Sequence, residues 1–418
     1  MQQNKLLRLH CHLSSTFIGN AVYTACQWGM LMVLAKFGSS AMVGQFALGI
    51  AITAPVFMLT NLQLRSVQIT ETKKQYCFSD YLGLRLISST LALLVITIIS
   101  ILGGYRWETS IVIFLVGVAK GLESISDLFY GLIQQHKDTD LIVRSLIIKG
   151  LLSLTLLFVG VYSSGSILWG VIGLVFALAA VLLGYDIPNG IMMLKQALKV
   201  KPRWHLKSLI KLILLCLPLG LMSMLIALNT NIPRYFIAQY LGEQELGIFA
   251  AIAYLMVIGS MVVSALGESS IARLTKYYAN QDVIAFRTLL LKLVRIAVLL
   301  GGIGVLMALV AGQQILTLLY QPEYAEQTNV FIWLMVAAGI SYISSFLGYG
   351  MTATGQFFIQ IPLFTTVVSI SSIACVWLLP ELGLVGAAIA LSLAATVQAV
   401  MSCVVIHHSL HRLQSQTN

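Results

Sequence analysis

The feature that most constrains the fold is a succession of long apolar segments separated by short polar ones. Of the 418 residues, 58% are hydrophobic and 10% are charged, whereas a soluble protein carries about 25% charged residues. A helix needs roughly 20 residues to cross a bilayer, so the chain has apolar residues for about twelve spans. The segments lack the alternation over about ten residues that marks a membrane β-barrel. We therefore predict an all-α polytopic membrane protein with about 12 transmembrane helices. The predicted spans are 13–36, 41–66, 80–103, 109–133, 141–162, 166–186, 209–235, 244–268, 287–311, 328–353, 358–379 and 382–406.

The distribution of lysine and arginine predicts the orientation of these spans. The connections after the even-numbered spans are basic, whereas "YSSG" at 162–165 has no charge and "QPEYAEQ" at 321–327 has only acids. Basic connections stay on the cytoplasmic side of a membrane. We therefore predict that both termini are cytoplasmic. The first span is longer than the apolar region of a signal peptide and is predicted to be retained.

Composition also excludes several classes of function. The net charge of +10 follows from the basic cytoplasmic connections, so it predicts no nucleic-acid partner. The six cysteines are scattered, without a CxxC pair or a histidine spacing for a metal, and we predict free thiols and neither metal nor cofactor. Because every external connection is short, no soluble catalytic domain fits there, and we predict that the protein is not an enzyme.

Two sequence matches predict an internal repeat. "LAKFGSSAMVGQFA" at 34–47 aligns without a gap on "IAQYLGEQELGIFA" at 237–250, an offset of 203 residues. "SDLFYGL" at 126–132 resembles "SFLGYGM" at 345–351, which pairs the fourth span with the tenth. Six spans return the chain to the same side of the membrane, so the two copies have parallel topology and a pseudo-two-fold axis along the membrane normal.

The repeat predicts two six-helix lobes, 1–188 and 209–418, joined by a cytoplasmic interfacial linker at 189–208. Basic residues in that connection alternate with Met, Leu and Trp, as in a helix that lies on the inner leaflet. A solvated linker that carries only topology charges remains the alternative.

Polar stripes predict which helix faces line a cavity between the copies. The stripe of the first span includes Asn20 and Gln27, that of the seventh includes Asn231 and Arg234, and that of the tenth includes Tyr349. The alternative is that these groups hydrogen-bond between packed helices.

The fourth span carries three ions, in "KGLESISDLFYG" at 120–131. At about 100° per residue, Glu123 lies about 60° and Asp127 about 20° from Lys120 around the helix. Isolated ions facing lipid would cost at least ~2.5 kcal/mol each, so this face must meet protein or water. Two interpretations remain open, an ion pair that fixes packing and a cavity site that senses the charge of a substrate or ion.

The twelve-span plan, the duplicated lobes, the block "VGQFALGIAITAPVFMLTNLQLR" at 43–65 and the turn region at 131–135 resemble a known family. The family that these features resemble is that of the bacterial O-antigen and oligosaccharide flippases, which belongs to the multidrug, oligosaccharidyl-lipid and polysaccharide exporter superfamily. The resemblance implies alternating access in the bacterial inner membrane. It also implies a polyprenyl diphosphate-linked sugar unit as substrate, with membrane lipids and polysaccharide-assembly proteins as further partners.

Charge ranks this branch above its relatives, because a diphosphate needs cations and hydrogen-bond donors, whereas an exporter of organic cations needs buried acids. Cations outnumber acids near the spans, so a flippase is predicted first, a proton- or sodium-coupled organic-cation antiporter second, and a scaffolding protein last. The predicted substrate-binding residues are Lys120, Arg234, Asn20, Gln27, Lys36, Asn231 and Tyr349, and the ion-coupling candidates are Glu123 and Asp127.

The same 203-residue offset relates Arg65, at the inner end of the second span, to Glu268, at the inner end of the eighth. Equivalent positions can approach one another on a two-fold axis, so this pair is the predicted cytoplasmic gate. The alternative is that each residue faces the cytosolic headgroups independently.

Overall fold

The fold is that of a computed structural model, which describes residues 2–71, 75–136, 138–194 and 201–417, with side chains from residue 18 to 414 except Phe357. These residues form helices and no β-strand. The helices of the first half are α1 (Gln2–Phe37), α2 (Ser40–Asn61), α3 (Leu64–Thr70), α4 (Phe78–Leu102), α5 (Trp107–Gln135), α6 (Thr139–Ser164), α7 (Ile167–Val181) and α8 (Ile187–Met193), with a π-helical turn at Leu182–Asp186. Those of the second half are α9 (Leu206–Tyr240), α10 (Glu243–Tyr254), α11 (Met256–Ala279), α12 (Val283–Leu319), α13 (Pro322–Ala325), α14 (Thr328–Ala353) and α15 (Phe357–Thr417).

The predicted fold class is confirmed. Nine helical stretches in the described ranges are long and apolar enough to cross a membrane. Every predicted span lies mainly on helix, although 41–66 crosses the break between α2 and α3 and 244–268 crosses that between α10 and α11. The last two spans both lie within α15, which is interrupted at Gly383. Gly383 interrupts the helix with a φ of 56°, a left-handed value that favours glycine. The protein is therefore a multi-pass α-helical membrane protein.

Helix boundaries recur at the spacing that the sequence repeat predicts. Helix α1 ends at Phe37 and helix α9 ends at Tyr240, so the two helix ends are 203 residues apart. Helices α2 and α10 begin at Ser40 and Glu243, with the same difference. The repeat pairs the fourth span, α5, with the tenth span, α14. Each of them packs against three other helices of its own half: α5 against α2, α4 and α7, and α14 against α11, α12 and α15.

The chain forms two compact units, Met1–Ala227 and Leu228–Asn418. The division falls inside α9, so residues 209–227, predicted as part of the second lobe, belong to the first unit. The physical reason is packing: Leu209, Leu212 and Cys216 are buried in one cluster with side chains of α4 and α5. Gly220 continues this contact, because its backbone lies close to the Leu59 carbonyl of α2.

The predicted linker at 189–208 is only partly helical. Helix α8 covers its start, 195–200 lie outside the described residues, and 201–205 are not helical. The Arg203 N–H donates to the Ser79 carbonyl at 3.0 Å, which returns the chain to the first turn of α4. An interfacial helix is therefore not formed at 201–205.

Candidate functional site

The first unit contains a partly open cavity of about 390 Å³ among α1, α2, α3, α5 and α6. A volume in this range suits a small ligand or the headgroup of a larger one. Apolar side chains form part of the wall, and charged or polar side chains form the rest. The lining residues are Asn20, Tyr23, Ile50, Ala54, Phe57, Met58, Asn61, Arg65, Lys120, Glu123, Ser124, Asp127, Tyr130, Ile142, Leu146 and Lys149.

The three ions of α5 share the face that lines this cavity. Lys120 Nζ lies 2.7 Å from Glu123 Oε2, one turn further along the helix. The Tyr23 hydroxyl of α1 donates to the other oxygen of Glu123. The side chains of Lys120 and Glu123 are 29% and 23% exposed, so the pair borders the open space of the cavity. Asp127, one turn beyond Glu123, does not pair with Lys120 and instead meets arginines.

Asp127 lies between two guanidinium groups. Its Oδ1 accepts a hydrogen bond from Arg65 Nη1 at 2.9 Å, and its Oδ2 lies 3.8 Å from Arg85 Nη2. Arg85 comes from α4 and has no exposed side-chain surface. Through Nη1 it donates to Asn61 Oδ1 and, at 3.1 Å, to Ser124 Oγ. A buried cation thus stands directly behind the cavity wall.

Arg65 reaches Asp127 because the chain breaks between α2 and α3. Leu62 and Gln63 both adopt left-handed backbone angles, with φ of 52° and 50°. Residues other than glycine rarely adopt such angles. The break redirects α3 so that its first turn lies against α5. There Arg65 Nη2 donates to Gln134 Oε1 at 2.9 Å, and its guanidinium lies 5.6 Å from the centre of the Tyr130 ring. Backbone strain of this kind is common near functional sites.

Lys149 of α6 closes another side of the cavity and belongs to a buried polar cluster. Its Nζ lies 3.1 Å from Asp186 Oδ2 and 2.8 Å from the Tyr130 hydroxyl. The hydroxyls of Ser126 and Ser145 donate to the two oxygens of Asp186. Asp186 is the last residue of the π-helical turn, a local feature often found at functional positions.

The lining of the cavity therefore contains three cations, Arg65, Lys120 and Lys149, and two acids, Glu123 and Asp127. Both acids are already engaged by a cation of the lining. Each of these cations is also paired with an acid, so the surplus positive charge comes from Arg85 behind the wall. This surplus favours an anionic ligand over a cationic one. No group of three or more metal-binding side chains occurs within the part of the chain that the structure describes.

The predicted site residues of the first unit fall into two groups. Asn20, Lys120, Glu123, Asp127 and Arg65 line the cavity. The other two, on α1, are not lining residues: Gln27 is half-buried and hydrogen-bonds to the lining residue Tyr23, and Lys36 is exposed in the last turn. A role of either group in binding or ion coupling remains a prediction.

The other predicted residues belong to the second unit. Arg234 Nη1 donates to Asn231 Oδ1 at 3.0 Å, one turn earlier on α9. Tyr349 lies on α14, where its ring packs over Gly267 of α11. Glu268, on α11, is exposed, whereas its predicted gate partner Arg65 pairs with Asp127 in this structure. The gate also remains a prediction.

Sequence reasoning omitted several residues of the cavity and its wall. Arg85, Lys149 and Asp186 were visible as ions in or beside predicted spans, which is the signal that could have found them. Their partners could not be recognised, because each contact joins helices that are distant in sequence. Asn61 and Tyr130 carry no such signal, since uncharged polar residues are frequent in membrane helices.

The chain matches the family described as "Polysaccharide biosynthesis protein" over residues 13–278, more than half of its length. A curated relative is the capsular polysaccharide biosynthesis protein CapF of Staphylococcus aureus. It is 29% identical over 387 residues, which cover 90% of this chain and 94% of the relative.

Solved structures of transporters have a similar fold. One is the inward-facing conformation of a multidrug resistance MATE family transporter of the MOP superfamily, with a TM-score of 0.69, 13% identity, and coverage of 96% of this chain and 100% of that one. Another is a MOP superfamily transporter from Pyrococcus furiosus, described as having a binding pocket of reverse polarity that suggests a different function. It has a TM-score of 0.62, 15% identity, and coverage of 96% and 95%. At these identities the likeness concerns the fold alone.

Proposed function

Because the chain belongs to the polysaccharide biosynthesis protein family and has the fold of MOP superfamily transporters, we propose that it is an alternating-access flippase. Its substrate is a polyprenyl diphosphate-linked oligosaccharide, an O-antigen unit or a related polysaccharide repeat unit. The protein moves this lipid from the cytoplasmic to the periplasmic leaflet of the inner membrane, with both termini in the cytoplasm. It makes and breaks no covalent bond, so it is a transporter and not an enzyme.

The observation that carries this proposal is the positive lining of the cavity in the first unit. Arg65, Lys120 and Lys149 line it, and Arg85 lies just behind its wall. Arginine pairs with phosphate oxygens through two parallel hydrogen bonds, and lysine supplies a point charge. A diphosphate carries several negative oxygens within a few ångströms, so it can engage more than one of these cations at once. The apolar part of the wall, which includes Phe57 and Met58, suits the adjoining lipid.

An antiporter of organic cations is the second candidate, since multidrug transporters share the fold. Such a protein needs a carboxylate that a cationic ligand can reach. Glu123 and Asp127 are the acids of the lining, and each is held by a basic side chain at hydrogen-bond distance. A cationic drug would have to displace that side chain and leave a second cation unpaired beside Arg85, whereas an anionic ligand adds a partner for the surplus positive charge.

Two driving forces for transport are proposed, a proton or sodium gradient and the membrane potential. Glu123 and Asp127 are candidates for coupling to protons or sodium, because both face the cavity. The inside-negative membrane potential could also reset an empty cationic cavity without a coupling ion. Membrane lipids and polysaccharide-assembly proteins are the other proposed partners.

A comparison of two transport assays on proteoliposomes tests the function. A fluorescent polyprenyl diphosphate sugar should cross the bilayer in the presence of the wild-type protein, measured by its accessibility to a quencher that cannot permeate the membrane. Efflux of a cationic dye from the same vesicles should stay at the background rate. Lys120→Ala should abolish translocation because it removes a cavity cation. The matched control is Arg144→Ala, which removes an exposed cation of α6 outside the cavity and should retain the wild-type rate.

Dye efflux without sugar-lipid translocation would favour the antiporter. Equal translocation rates for Lys120→Ala and the wild type would remove Lys120 from the binding site.

A further inference from the structure

The two arginines around Asp127 are not equivalent. Arg65 is well satisfied, because it donates to Asp127 and Gln134 at 2.9 Å each and lies beside the Tyr130 ring. Arg85 is not: within the described residues, its Nε and Nη2 donate no hydrogen bond, although its side chain has no exposed surface. Burying such donors without acceptors is unfavourable. Arg85 is therefore a buried cation that lacks an anion at hydrogen-bond distance.

Asp127 can supply that anion with a small movement. Its Oδ2 lies 3.8 Å from Arg85 Nη2, less than 1 Å beyond the usual limit of a charge-assisted hydrogen bond. Its side chain is 38% exposed to the cavity, so it has room to change rotamer. In the present arrangement its other oxygen is held by Arg65, on the opposite side.

An anionic ligand would compete directly with Asp127. A phosphate oxygen would compete for Arg65 Nη1, which now donates to Asp127, and like charges at this distance repel. If Asp127 were simply expelled from Arg65, a carboxylate would remain beside the ligand without a partner. Arg85 offers it one, and the same movement supplies the acceptor that Arg85 lacks.

We propose that Asp127 is an internal competitor that occupies the anion subsite of the empty cavity and transfers from Arg65 to Arg85 when a ligand phosphate binds. The proposal rests on the proposed function, because it assumes an anionic headgroup. In this role Asp127 sets the affinity for the ligand, which leaves Glu123 as the remaining candidate for ion coupling. A competitor that returns to Arg65 when the ligand leaves weakens binding and favours release, which a transporter requires after the cavity opens to the other side.

The first part of the test measures binding of inorganic diphosphate to the purified full-length protein by isothermal titration calorimetry. Asp127→Asn removes the competing charge and should tighten binding about tenfold. Asp140→Asn is the matched control, because it removes an equal charge from the exposed first turn of α6, outside the cavity. It should change the affinity less than about twofold, the size expected for a screened surface charge.

The second part is a double-mutant cycle with Arg85→Gln. With Asp127 present, this substitution should weaken diphosphate binding about tenfold, because the Asp127 carboxylate, once displaced from Arg65, finds no cationic partner. In the Asp127→Asn background it should change the affinity less than about threefold. If Arg85 acts only through its positive charge, Arg85→Gln will weaken binding equally in both backgrounds, and the transfer is wrong. Arg85→Lys, which keeps the charge, serves in the same cycle if Arg85→Gln does not yield a monodisperse protein.

The outcomes separate the inference from the function on which it rests. Wild-type binding with no tightening in Asp127→Asn overturns the internal competitor and leaves the flippase proposal standing. Absence of diphosphate binding in both the wild type and Asp127→Asn overturns the anion subsite and the inference together.

Discussion

Lys149 and Asp186 show at the residue scale how this protein keeps ions inside an apolar bundle. Their side chains are 3% and 1% exposed, and the charges lie 3.1 Å apart. Tyr130, Ser126 and Ser145 supply the remaining hydrogen bonds, so both oxygens of the carboxylate are satisfied. A buried ion pair is tolerated only when its remaining lone pairs and protons are bonded in this way.

Removal of one partner of this pair should destabilise the protein strongly. Lys149→Met leaves Asp186 buried without a cation, which typically costs about 3–5 kcal/mol. The double variant Lys149→Met/Asp186→Asn should recover much of that loss, because no uncompensated charge remains. The measurement is the free energy of unfolding in mixed micelles.

The control for this series is Arg144→Met, which truncates an exposed cation on the same helix and should change the stability by less than about 0.5 kcal/mol. Equal stability of Lys149→Met and Arg144→Met would show that the Lys149–Asp186 contact is not a stabilising ion pair.

At the scale of elements, the helices are assembled through close backbone contacts at glycines. Gly301 of α12 faces Gly339 of α14 so closely that a Cβ added at Gly301 would lie 2.5 Å from the Gly339 Cα. The neighbouring Gly302 has no atom within 4 Å of an added Cβ. Small residues at helix contacts are the usual means by which membrane helices approach one another. Adjacent glycines of one helix thus occupy opposite environments.

This difference predicts opposite effects of the same substitution. Gly301→Ala should destabilise the protein by about 1–3 kcal/mol, because the new methyl group would clash with the α14 backbone, which cannot move aside as a flexible side chain could. Gly302→Ala should be neutral or stabilise it by about 0.5–1 kcal/mol, since alanine favours the helix. Thermal unfolding of the two variants in detergent gives the comparison. A Gly301→Ala variant as stable as Gly302→Ala would mean that α12 and α14 are not held at this separation.

The polar stripes show where element-scale reasoning from sequence is ambiguous. Tyr349 belongs to the stripe of the tenth span, yet its ring packs over Gly267 of the neighbouring helix α11. Asn20 lines the cavity of the first unit, as the stripe of the first span predicts. Both residues obey the same periodicity along their helices. Periodicity identifies a face but not whether it meets a cavity or a neighbouring helix.

At the scale of the whole molecule, the charge distribution predicts which connections are accessible from each side of the membrane. In a cysteine-free background, Ser164→Cys should react with a membrane-impermeant maleimide in intact cells, because the connection at 162–165 has no charge. Lys276→Cys, in a basic and exposed region, should react only after permeabilisation. The reverse labelling pattern would place both termini outside the cytoplasm.

The sequence by itself determined the class, the spans and the register of the repeat. These depend on local properties, namely the length of apolar segments and short matched motifs. The helix ends at Phe37 and Tyr240 therefore recur at the predicted offset. Tertiary structure alone decided which charges meet, because the contact between Arg65 and Asp127 joins residues 62 positions apart. It requires the left-handed break at Leu62, which no local propensity of leucine predicts, since the strain there is compensated by packing with distant helices.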